Sequence, residues 1–113
     1  MIDIETTPGG ATLVSVNEPL DYGVVADLAE VLASDAVREA HHIVIELSAP
    51  GSMDESAVGV LVRSARDTRL RGGRLTLCGA DARVRDALER IGVSRLVQLA
   101  DDADSALDSA RIA

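Results

Sequence analysis

Residues 41–62, "HHIVIELSAPGSMDESAVGVLV", set the architecture of this chain. Ile43 to Leu47 is a short β-branched and aliphatic run that can be buried on both faces, as an inner strand of a mostly parallel sheet must be. It leads into "SAPGSMDES". Beyond that, Ala57, Leu61 and Ala65 recur at helical spacing with Val58 and Val62 beside them, and the pattern stops at Gly72-Gly73, where a left-handed residue is easily accommodated. Arg74 to Cys78 then reads as another strand. Strand, helix and strand in this order imply a parallel crossover unit, in which function gathers at the carboxyl ends of the strands.

Working outward, Leu13, Val14 and Val16 mark a strand over 11–16, preceded by the turn signal Pro8-Gly9-Gly10. Ile2 to Glu5 alternates in the same way and is expected to pair with it as a hairpin. From Tyr22, the residues Val25, Leu28, Ala29 and Leu32 form a helical stripe with Asp27 and Glu30 facing outward. Asp81 suits an N-cap for a helix with Val84, Ala87, Leu88 and Ile91 inward and Gly92 at its C-terminal cap. Leu96 to Leu99 reads as the last strand. A closing helix from about Asp102 carries Ala103, Ala106, Leu107 and Ala110. The expected class is α/β: a mostly parallel four- to five-stranded sheet behind an N-terminal antiparallel hairpin, with four helices, in a single domain over 1–113.

The length of 113 residues fits one core rather than two. Tyr22 is the only aromatic among Phe, Trp and Tyr, so that core must be aliphatic. A formal net charge of −8 opposes general nucleic-acid binding, which needs clustered cations to neutralise phosphates. The charge is uneven: all eleven basic residues are Arg, and nine lie between Arg63 and Arg95 against four acids. Most of these guanidinium groups read as solvated positions, although a local basic face could meet an acidic partner. Cys78 is alone and at the end of an apolar strand, which points to a buried thiol in a reducing, cytoplasmic compartment. No apolar stretch approaches the roughly 18 residues of a membrane span, and the acidic "MIDIETTPGG" does not read as a secretory signal, so no direct membrane insertion is expected.

Little in the sequence advertises catalysis. The adjacent pair His41-His42 points to opposite faces of a strand and does not share a metal, and no Cys or carboxylate stands at ligand spacing. Gly9-Gly10 and Gly72-Gly73 lack the pattern of a phosphate loop opening a helix, so no cofactor is expected. Ser56 has no evident base to activate it as a nucleophile. The acid-rich start of the second helix has an ordinary structural reading: Ser52-Met53-Asp54-Glu55 matches a capping box, Ser52 accepting from the Glu55 amide while Glu55 reaches back.

Three segments, "HHIVIELSAPGSMDESAVGVLV", "RLRGGRLTLCG" and "VRDALERIGVSRLVQL", stand in the order and spacing of a known family. The chain resembles the sulfate-transporter and anti-sigma-antagonist (STAS) domains, in particular the stand-alone bacterial anti-sigma factor antagonists. In that family the helix after the central strand opens with Asp, a phosphorylatable Ser or Thr, a further Ser or Thr, then Gly, an aliphatic residue and Gly. A kinase that is usually also the anti-sigma factor phosphorylates the residue after the Asp; the unmodified antagonist binds the anti-sigma factor, phosphorylation ends the binding and a phosphatase restores it.

Carried onto this chain, the resemblance puts Asp54 at the Asp position, Ser56 at the second hydroxyl, Val58 at the aliphatic position and Gly59 at the last Gly. The modified position falls on Glu55, and Ala57 replaces the first Gly. The resemblance implies a non-enzymatic regulatory module whose partner-binding surface is Ser52, Met53, Asp54, Glu55 and Ser56. The partner that the resemblance implies is an anti-sigma factor or serine kinase-type protein or a related regulator. Glu55 would then imitate the phosphorylated state permanently, with Ser56 as an alternative acceptor. Other readings are a ligand- or lipid-binding, transport-associated component, and a scaffold subunit of a signalling assembly.

Overall fold

The computed structural model describes residues 2–7, 10–17, 22–47, 55–80, 82–91 and 98–100. The expected hairpin is present. Strand β1 (Ile2–Thr6) pairs antiparallel with β2 (Thr12–Val16), Ile2 opposite Val16 and Thr6 opposite Thr12. Its turn is closed by the Thr7 amide donating to the Ala11 carbonyl at 2.8 Å and by the Thr7 hydroxyl donating to the same oxygen at 3.0 Å. Gly10 takes a left-handed φ of 87°, which glycine adopts without a Cβ clash. Thr12, Val14 and Val16 are buried on one face of β2, while Leu13 is half-buried on the other. The apolar residues of this strand therefore divide between two faces, as a period of two requires.

Helix α1 (Tyr22–Leu32) buries Val25, Leu28 and Leu32 as its stripe predicts. Ala29, expected on that stripe, is exposed, and Val24 is buried instead. Val24 lies one turn before Leu28 and so shares its face, whereas Ala29 sits at the stripe's edge and gains little from burial. The four-residue helix α2 (Asp35–Arg38) follows, which the sequence reading did not anticipate. Its start leans on the Ser34 carbonyl, which accepts from Arg38 at 2.9 Å, while the Ser34 hydroxyl turns back to the Val31 carbonyl at 2.6 Å. Val37 is its one buried residue.

The rest alternates. Strand β3 (His42–Glu46), helix α3 (Glu55–Leu70), strand β4 (Arg74–Cys78), helix α4 (Ala82–Ile91) and strand β5 (Gln98–Ala100) follow in order. The sheet order is β1-β2-β3-β4-β5, with every pair after the hairpin parallel. The described part of the last strand, Gln98–Ala100, overlaps the expected Leu96 to Leu99 and reaches one residue beyond it; Leu96 and Val97 are outside the described residues, as are Asp81, Gly92 and the expected closing helix. Of the four described helices, α2 is the one added.

Ile43, Ile45 and Leu47 join Val14, Val16, Leu75 and Leu77 in one aliphatic cluster, to which α1, α2, α3 and α4 all contribute. Val44 and Cys78 are buried on the opposite face, with Leu13 and Ala100 against them. The central strand is thus buried on both sides, as its unbroken apolar run predicts. Cys78 is buried as a thiol outside any disulfide.

Candidate functional site

Parallel pairing brings Ser15, Glu46, Cys78 and Ala100 towards the carboxyl edge of the sheet. The exit from β3 is fixed there: Leu47, fully buried, donates its amide to the Cys78 carbonyl at 2.8 Å. The chain resumes at Glu55, which opens α3. Ser52, Met53 and Asp54 lie outside the described residues, as does the side chain of Glu55, so the proposed capping box falls outside them too.

From Glu55 the two faces of α3 separate cleanly. Ala57 (0% exposed), Val58 (3%) and Leu61 (0%) lock the first turns against the sheet, and burying such a leucine or valine contributes about 1.5–3 kcal/mol. Ser56, Gly59 and Arg63 are exposed on the outer side, three and four residues apart. A Cβ built on Gly59 would meet nothing within 4 Å, so no packing against the described residues requires a glycine there. A glycine in an exposed helical position costs about 1 kcal/mol relative to Ala, and its bare backbone lets another surface come close. This is a signal the sequence reading did not use: Gly59 was placed only by family likeness.

The far end of α3 is built differently. The Gly72 amide donates to the Arg69 carbonyl at 3.0 Å and the Gly73 amide to the Thr68 carbonyl at 2.8 Å, a Schellman closure with Gly72 left-handed at φ 81°. Gly73 passes so close to the start of β3 that an added Cβ would lie 2.5 Å from the His41 carbonyl oxygen. Arg74 then donates its amide to that same oxygen at 2.7 Å. His41 and His42 meet edge to face, with ring centroids 6.3 Å apart. Burial, then the Arg74 guanidinium and His41, hold the His42 imidazole below its usual range. Among the described residues, no three His, Cys, Asp or Glu side chains are grouped to hold a metal, and no helix is long and apolar enough to cross a membrane.

The STAS domain family matches residues 1–106. The chain is a STAS domain. No curated protein matches it in sequence. Among solved STAS-like structures, it is similar to an anti-sigma factor antagonist from Mycobacterium paratuberculosis, with 19% identity, a TM-score of 0.87, and coverage of 98% of this chain and 93% of that one. It is similar to a serine-to-glutamate variant of RsbS from Moorella thermoacetica, at 24% identity and a TM-score of 0.80, covering 98% of this chain and 95% of the other. A sulfate transporter family protein from Wolinella succinogenes matches at 24% identity and a TM-score of 0.80, over 96% of this chain and 90% of that chain. At such identities the likeness establishes the shared fold, whose five-stranded sheet and helices agree with the expected class.

Proposed function

We propose that this STAS domain is a non-enzymatic interaction module of the antagonist type, whose recognition surface is the opening of α3 and which carries a fixed negative charge at Glu55 in place of a reversible one. The observation that carries the reading is the outer face of the first turns: Ser56 and Gly59 are exposed directly above the fully buried Ala57 and Leu61. A partner can reach this surface without disturbing the core.

A carboxylate at a helix N-terminus is favoured by the positive end of the helix dipole and holds about −1 charge at neutral pH, where a phosphoserine holds about −1.5 to −2. Glu55 therefore resembles the switched-off member of a partner switch. It is smaller than a phosphate and offers two acceptor oxygens rather than three, so it weakens binding to a kinase-type anti-sigma factor without abolishing it.

The test is incubation with a kinase-type anti-sigma factor and ATP, followed by intact mass. The reading expects an unmodified chain, or phosphate on Ser56 if the switch has moved by one position. Stoichiometric phosphate on any other residue overturns it. A transport-associated role is the rival, supported by the shared fold with the sulfate transporter family protein. A stable complex with a membrane transporter, unchanged by Glu55→Ser, would favour that rival.

A further inference from the structure

Between α1, α2 and the stretch of α3 from Val60 onward lies a groove of about 500 Å³. Its floor is apolar: Leu32 and Val60 supply the bulk, and Ala29 and Ala33 keep it open because they are small. Around it stand Arg38, Arg63 and Arg71, all exposed, with Asp67 as the one carboxylate among the lining residues. At the rim Leu70 is 86% exposed; among the described large aliphatic residues only Ile4, at 41%, is exposed as well.

Two features conflict with an ordinary solvated face. An exposed leucine continuous with an apolar floor and rimmed by charged residues makes a patch, rather than an isolated surface residue, and such patches mark contact surfaces. Local charge is also opposite to that of the molecule: three cations face one anion here, whereas the chain carries −8 overall. Against the negative charge of the whole chain, such a place attracts an acidic partner, which gives both orientation and selectivity. Nucleic acid fits poorly, since the floor is apolar and the cations do not extend into a track for phosphates.

We propose that this groove docks an acidic amphipathic helix of a partner protein, with aliphatic side chains against Leu32, Val60 and Leu70 and carboxylates against Arg38, Arg63 and Arg71. Helix-in-groove recognition needs this combination of an apolar channel and a charged margin. Along α3 the groove begins at Val60, beside Gly59 and one turn beyond Ser56, so it adjoins the helix opening. Its apolar floor and its cations do not depend on the charge of Glu55.

The test titrates the full chain with a labelled helical peptide of Leu and Glu, the Glu along one edge, beside a matched Leu/Lys peptide and dodecanoate. Anisotropy gives affinity, and methyl NMR locates binding. Saturable binding of the Leu/Glu peptide is expected, shifting the methyls of Ala29, Leu32, Ala33, Val60 and Leu70, and weakening as salt is raised. Arg63→Glu combined with Arg71→Glu should weaken it by at least about tenfold, and Leu70→Ser by severalfold. Both changes are at exposed positions, and circular dichroism verifies the fold. No binding by the Leu/Glu peptide, equal binding by the Leu/Lys peptide, or shifts confined to the start of α3 would overturn the proposal. Occupation of the groove by dodecanoate alone would also overturn it, marking a small-amphiphile site.

Discussion

The two ends of α3 are made by opposite means. At its tail, Gly72 and Gly73 close a Schellman motif on Thr68 and Arg69, and Gly73 touches the backbone of the neighbouring strand. There glycine is required by geometry. In its first turns, Gly59 faces open space and Ser56 is exposed beside it, while Ala57, Val58 and Leu61 on the other side secure the helix to the sheet. The same residue type thus serves the fold at one end, whereas at the other the fold has no use for it. A glycine that packing does not explain is the better pointer to a surface meant for another molecule.

Substitutions to Ala should separate these roles. The largest effect is expected from Gly73→Ala, whose methyl would run into the His41 carbonyl: a loss of about 2 kcal/mol or more in urea unfolding, as for overpacked interiors. Gly72→Ala should cost about 1 kcal/mol, from forcing an L-residue into a left-handed conformation where space is not limiting. Gly59→Ala should act in the other direction, raising stability by about 0.5–1 kcal/mol while weakening partner capture. A loss of stability at Gly59 would erase the contrast between the ends. Unchanged capture would remove Gly59 from the recognition surface.

A smaller effect is expected at the start of β3. The His42 imidazole is held below its usual range in the folded chain, so the unfolded chain takes up the proton first as pH falls. Its contribution to stability is complete above the unfolded value of about 6.5 and is lost as pH falls through the lower folded value. Unfolding midpoints between pH 7.5 and 5.5 should therefore fall less in His42→Gln than in the parent chain. Equal slopes would show that His42 takes no part.

Most of the architecture was legible because strong periodic signals carry it: the run Ile43 to Leu47, the stripe of α3 and the glycines that end it. What escaped was short or weakly apolar. Four residues from Asp35 to Arg38 do not complete enough turns to display a period, and Ala29 fits an apolar stripe without any need to be buried. At the site, the acids were visible in the sequence but the exposure of Gly59 was not, since exposure follows from which face of α3 the sheet takes. Arg38 stood far from the basic stretch in sequence, and only the packing of α2 beside α3 joins it to Arg63 and Arg71 in one groove.

The most direct test of the fixed-charge account is calorimetric affinity for a kinase-type anti-sigma factor captured from the native host, measured for the parent chain, Glu55→Gln and Glu55→Ser. Removing the charge should tighten binding in both variants, by about tenfold or more in Glu55→Ser, and only Glu55→Ser should lose that gain when ATP lets the kinase act. Equal affinity in all three would contradict the account and leave Glu55 as no more than the first residue of a helix.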